Sequence, residues 1–158
     1  MSNKLSIGSK APDFVLRDQE GNGVHFADHI GKKVIVLYFY PKDFTGGCTA
    51  EACAFRDSYE TFTDAGAEVF GVSADTAESH HNFADKYRLP FTLLSDPGSK
   101  VAALYGLSKA LGIIPSRTTF VIDRDGVIRH IFNSMTNMDA HIEEAKKIVL
   151  ELAGESVK

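Results

Sequence analysis

Cys48 and Cys53 are the only cysteines among 158 residues, and the segment around them, residues 38–57, reads YFYPKDFTGGCTAEACAFRD. An apolar run from Val34 to Tyr40 breaks at Pro41. A Gly-rich loop follows, and Thr49, Ala50, Glu51, Ala52 and Ala54 read as the first turns of a helix. Cys48 is thereby expected where strand gives way to helix, at the helix's positive end. A cysteine reacts as the thiolate, and a free thiol with a pKa near 8.5 is only about 3% ionised at pH 7. The first N–H groups of a helix have no intrahelical partner and carry positive partial charge, so they favour an anion. An added cation can bring a cysteine pKa down to roughly 3.5–7.5. Gly46 and Gly47 let the backbone pass close to the sulfur. Thr45 brings a hydroxyl that can donate to a bound substrate oxygen or accept a hydrogen bond. The expected chemistry is nucleophilic.

Cys53 cannot reach Cys48 along an intact helix. Five residues give about 140° of rotation and about 7.5 Å of rise, which puts the Cα atoms roughly 8.7 Å apart. A disulfide needs them within about 7 Å. Bridging therefore requires the first turns to unwind, which suits a transient catalytic bond better than a structural staple. The alternative is a pair of buried cysteines acting as small hydrophobes. CxxxxC is not the CxxC of a thioredoxin-type reductase, and the chain has no further thiols for a zinc site.

The loop PKDFTGGC resembles the PxxxTxxC pattern of peroxiredoxins, with Pro41, Thr45 and Cys48 in the matching places. TAEACAFRDSY is similar to the Q-type subfamily, also called bacterioferritin comigratory proteins, in which a second cysteine often follows five residues on (the atypical two-Cys arrangement). GIIPSRTTFVID supplies the arginine that the family carries just before a late strand, here Arg117. Similarity extends from APDFVL through the final helix. One departure stands out: Q-type members commonly have Pro directly after the Thr, and this chain has Gly46, which adds freedom to the loop.

The resemblance implies a thiol peroxidase acting on hydrogen peroxide and organic hydroperoxides. Cys48 would be the peroxidatic cysteine, Cys53 the resolving one, and Arg117 the cation that holds thiolate and peroxide. Pro41 would shield the intermediate from water and further oxidants. A sulfenic acid on Cys48 would give way to a Cys48–Cys53 disulfide, recycled by thioredoxin or glutaredoxin. No metal, flavin or haem cofactor is implied. Without the family, Arg117 reads as a surface arginine at a strand start. Two other functions fit the same thiols: a peroxide sensor whose unwound form binds a partner, and a general disulfide reductase.

At 158 residues and 44% hydrophobic content the chain is expected to form one domain with a real core. A net charge of −4 argues against nucleic acid as a partner. No apolar stretch approaches ~20 residues, so no membrane span is expected, and MSNKLSIGSKAPDF lacks the apolar core of a signal peptide. Two thiols without an export signal fit a reducing, cytoplasmic setting, although a processed organellar protein would look the same. A monomer or weak homodimer is expected.

The elements that must position the thiol read as a small N-terminal hairpin (Asp13–Arg17 with Gly23–Phe26), a strand Val34–Tyr40 and a helix from about Thr49 to Asp64. Then come a strand Glu68–Ser73, a helix Ala77–Tyr87, a strand Phe91–Ser95 and a short helix Ser99–Tyr105. A hairpin follows, Thr118–Ile122 with Val127–Asn133 across Asp123-Arg124-Asp125-Gly126, and an amphipathic helix Met138–Ala153 ends the chain. This order implies an α/β, thioredoxin-like fold, a central mixed sheet flanked by helices. His80 and His81 are adjacent and so point about 100° apart on a helix; His25 and His29 lie in a segment too short for a helix. Both pairs are expected to be solvated. Arg56 is expected to pair with Asp57 or a loop carboxylate, and Phe39, Phe44, Phe55 and Phe62 to build core and active-site wall. Glu51 suits a helix N-terminus, but its charge would oppose a thiolate if it faced Cys48.

Overall fold

In the computed structural model, residues 5–107, 117–133 and 137–156 are described. The chain opens with strands β1 (Val15–Asp18) and β2 (Gly23–His25), paired antiparallel. Asp18 makes the turn between them: its Oδ1 accepts from the backbone N–H groups of Glu20 and Asn22, at 2.9 and 3.0 Å. Strand β3 (Val34–Phe39) is buried at all positions, as a strand covered on both faces must be.

The long helix expected after it divides in two. Helix α1 (Gly46–Asp57) ends at Ser58, whose φ of −104° and ψ of 5° leave helical geometry, and α2 (Tyr59–Asp64) restarts the winding. Helix α1 also begins three residues earlier than the Ala-rich pattern suggested, so Cys48 lies inside its first turn. Strand β4 (Ala67–Ser73) leads to α3 (Ala77–Tyr87), capped by Thr76 accepting from Ser79 N at 3.1 Å. Strand β5 (Thr92–Ser95), α4 (Lys100–Leu104), β6 (Thr118–Ile122), β7 (Ile128–Asn133) and α5 (Met138–Ser156) complete the chain.

The seven strands form one sheet in the order β2-β1-β5-β4-β3-β6-β7. Strands β3, β4 and β5 are parallel, while β1, β6 and β7 join antiparallel. Alternation along β3 builds two cores. Val34, Val36 and Tyr38 pack with Phe55, Phe62, Phe83 and Val149, under α1, α2, α3 and α5. Ile35, Leu37 and Phe39 face the other way, onto Phe14, Phe26, Val101 and Tyr105. The sheet is therefore mixed and covered on both sides, as the element order implied.

Candidate active site

Strand β3 delivers the chain to the site at its C-terminal end, where Tyr40 N still bonds Val72 O at 3.0 Å. The loop 41–45 follows, and Thr45, with φ −81° and ψ 153°, is the N-cap of α1. Cys48 is 1% exposed. Arg117, 69 positions later and also buried, donates from Nη1 to Cys48 Sγ at 3.1 Å. The register explains the meeting: Phe39 pairs with Thr118 across β3 and β6, so Arg117 lies one step beyond, beside the start of the loop. The Thr45 hydroxyl donates to Lys42 O at 3.0 Å and pins the loop to the helix start. Pro41 is half-buried in the same loop. Cys53, partly exposed, lies within the wound α1, and both thiols are free.

Burial is the largest influence on Cys48 and pushes its thiol up. The Thr45 hydroxyl, the Lys42 main chain and Arg117 pull it down, while a charge on Glu51 would add to the upward side. The sequence pattern displays the helix terminus and the glycines but not the burial of the sulfur.

Two buried clusters support this site. In the first, His80 is 0% exposed, which corrects the expectation that it is solvated. Its Nδ1 lies 2.7 Å from Asp43 Oδ2 and its Nε2 lies 3.0 Å from Leu94 O. Tyr40 Oη donates to Asp43 Oδ1 at 2.6 Å, Ser79 Oγ donates to Asp43 Oδ2 at 2.9 Å, and Asp43 N donates to Asp75 Oδ2 at 2.8 Å. Asp43, Asp75 and His80 bring their donor atoms within 4.8 Å of one another, but those of Asp43 and His80 are bonded directly to each other. The group works as a lock on the loop from beneath. Phe44, next to it, holds a positive φ of 64° and lays its ring edge-on to Phe83. Of the other histidines weighed as pairs in the sequence, His25 is exposed, exposed His81 meets Glu20, and half-buried His29 meets Glu68.

The second cluster lies one helical turn below Cys48. Glu51 is 0% exposed, and neither carboxyl oxygen has a hydrogen-bond partner among the described residues. Burial pushes its carboxyl up to about 8, against a smaller opposing pull from Arg117. His141 of α5 is also fully buried; its Nδ1 sits 2.8 Å from Thr119 Oγ1 and 3.6 Å from Glu51 Oε2. The second distance is too long for a hydrogen bond.

The profile of the AhpC/TSA family matches residues 7–131. The chain belongs to this family. It is 52% identical over 150 residues to peroxiredoxin Q, chloroplastic, of Oryza sativa subsp. japonica, covering 94% of this chain and 69% of that one. It is 53% identical, with the same coverage, to the Triticum aestivum protein of that name. Among solved structures, the peroxidoxin BcpB of Mycobacterium tuberculosis aligns with a TM-score of 0.88 at 36% identity, covering 94% of this chain and 98% of that one. Xanthomonas campestris peroxiredoxin Q aligns with a TM-score of 0.83 at 28% identity, over 94% and 97%. The fold is thioredoxin-like and the protein is a Q-type peroxiredoxin, a thiol peroxidase.

In this peroxiredoxin the sequence located Cys48, Thr45, Pro41 and Arg117 near one loop, but not the groups beneath it. Glu51 did leave a signal: with Cys48, Ala52 and Phe55 it forms the buried face of α1, a helical stripe in which one member is charged. His80 left none, because only the sheet brings Leu94 and Asp43 to it. Arg56 takes the structural role expected, donating from Nε to Asp57 Oδ1 at 3.0 Å and from Nη1 to Tyr87 O at 2.8 Å. Phe39, Phe55 and Phe62 are core residues, whereas Phe44 is 47% exposed at the rim of the loop. Among the described residues no helix is long and apolar enough to cross a membrane.

Proposed function

We propose that Cys48 is the peroxidatic cysteine and Cys53 the resolving cysteine of this enzyme. The observation that carries the reading is the 3.1 Å hydrogen bond from Arg117 Nη1 to the buried Cys48 sulfur. A guanidinium there holds a thiolate and can also meet the peroxide oxygen beside it. The thiolate attacks the nearer peroxide oxygen, the O–O bond breaks, and the departing oxygen leaves as alcohol or water after taking a proton. Cys48 becomes a sulfenic acid. Thr45, at the loop–helix junction, orients the peroxide, and Pro41 limits water access to the sulfur.

The beginning of α1 then unwinds. Cys53 attacks the sulfenic sulfur, water leaves, and a Cys48–Cys53 disulfide forms. A dithiol protein, thioredoxin or glutaredoxin, attacks the disulfide and carries the two electrons in. A structure of the Xanthomonas bacterioferritin comigratory protein is described in terms of alkyl peroxide reduction. The exposed Phe44 ring at this chain's loop supports organic hydroperoxides as substrates beside hydrogen peroxide. Two cysteines used for a transient bond fit a reducing compartment, the cytoplasm or an organelle such as the chloroplast named for the plant relatives. The enzyme works as a monomer or weak homodimer.

Intact mass and free-thiol count after one equivalent of hydrogen peroxide test the reading. The wild type should lose both thiols, and Cys53→Ser should stop at a trappable sulfenic acid on Cys48. Two thiols still free after minutes would remove the assignment. Unchanged thioredoxin-dependent turnover in Cys53→Ser would remove the resolving role alone.

A further inference from the structure

Glu51 lies between the two cysteines on the one segment that has to unwind for them to meet. In the wound helix it has 0% exposure and no hydrogen-bond partner for either oxygen among the described residues. An ionised carboxylate in that position would cost several kcal/mol. The groups that face it offer no full compensation. Arg117, at the start of β6, donates to the Cys48 sulfur. His141, from α5, has its Nδ1 at 2.8 Å from the Thr119 hydroxyl and stands off at 3.6 Å. Tyr38 of β3 contributes a buried hydroxyl that is itself unpartnered among the described residues. Cys48 of α1 draws on the same Arg117 charge that Glu51 would need.

We propose that Glu51 is a proton latch on the resolving step: its carboxyl is neutral while α1 is wound and loses its proton when residues 48–53 unwind to join Cys53 to Cys48. The inference rests on the two-cysteine cycle proposed above. Its chemistry balances without a further reactant. Cys48–SOH and Cys53–SH give the disulfide and water, and the Glu51 carboxylic acid gives a carboxylate and a proton to solvent. Glu51 acts through the helix and not on the peroxide, so it is a positioning residue.

The carboxyl moves from about 8 in the wound helix to an ordinary value near 4.5 once exposed. Between those values unwinding releases one proton, so each pH unit favours the unwound form tenfold. Acid conditions hold the wound form, and mildly alkaline conditions ease disulfide formation.

The test is the reduction potential of the Cys48–Cys53 couple against pH, from about pH 5 to 8, in the wild type and in Glu51→Gln. Ionisation of the two thiols contributes to both proteins, whereas the Glu51 proton contributes only to the wild type. The wild-type potential should therefore fall more steeply, by about 30 mV per pH unit, which is the tenfold change expressed for a two-electron couple. Parallel slopes would overturn the latch and leave the disulfide cycle standing. Absence of any disulfide in the oxidised wild type would overturn the cycle, and the latch with it. An infrared difference spectrum of oxidised minus reduced wild type decides the matter even where Glu51→Gln fails to fold. Loss of a protonated-carboxyl stretch on oxidation supports the latch, and an unchanged carboxyl region overturns it.

Discussion

At the scale of single residues the site is a contest over one sulfur. Burial pushes the Cys48 thiol up, and Arg117 with Thr45 and the Lys42 main chain pulls it back. Removing Arg117 leaves burial less opposed, so Arg117→Ala should move the thiolate titration to higher pH. A charge-assisted hydrogen bond contributes about 1.5–3 kcal/mol, so the peroxide step near neutral pH should slow by roughly 10- to 150-fold. Ultraviolet absorbance of the thiolate against pH, beside stopped-flow oxidation, checks both. A titration left at its wild-type position would mean that another group holds the sulfur. The chemical types at the site were legible in the sequence because PxxxTxxC is a local pattern. Asp43, His80 and His141 were not, and Glu51 showed only as the charged member of a helical stripe, since each owes its importance to burial, and burial depends on residues far away in the chain.

At the scale of the element, the junction of loop and helix decides how easily α1 opens. Thr45, at φ −81° and ψ 153°, already has the extended backbone that a following proline requires. Gly46 is the first helical residue, where the N–H has no intrahelical partner, and a Cβ built there meets nothing within 4 Å. Proline at that position suits a helix start. Gly46→Pro should therefore stabilise the wound helix by about 0.4–1 kcal/mol, mainly by restricting the open form. Oxidation to the sulfenic acid should keep its rate, while disulfide formation should slow about two- to fivefold. Rapid-quench thiol counting separates the two steps, and faster resolution in the proline variant would show that opening does not start at this junction. Element types were read correctly from periodicity and turn signals. The division of α1 from α2 was missed because Ser58 is ordinary in composition, and only its backbone, turned out of helical geometry, marks the break.

At the scale of the whole molecule, sheet order is what a local reading cannot supply. Strand β6 pairs with β3 across roughly eighty positions, and that pairing carries Arg117 to Cys48, while the packing of α5 on β6 brings His141 to Thr119. Global unfolding exposes the same Glu51 carboxyl that local unwinding does, so it leaves a mark on stability. The folded state holds the Glu51 proton up to about pH 8, and a carboxyl with the ordinary value of 4.5 releases it far earlier. Between these values the folded chain binds one proton more than the unfolded chain. Stability must then fall as pH rises, by at most about 1.4 kcal/mol per unit, with the full contribution present only below about pH 4.5. This is opposite in sign to a salt-bridged carboxylate, whose contribution is lost on acidification. Urea unfolding of the reduced protein from about pH 5 to 8, beside Glu51→Gln, isolates the effect because all other titrating groups are shared. The wild type should lose ground against the variant with each unit of pH. Parallel curves would mean that Glu51 is already ionised in the folded state, its charge balanced by Arg117 and His141. The buried face of α1 would then be a fixed ion cluster in place of a site that releases a proton as it opens.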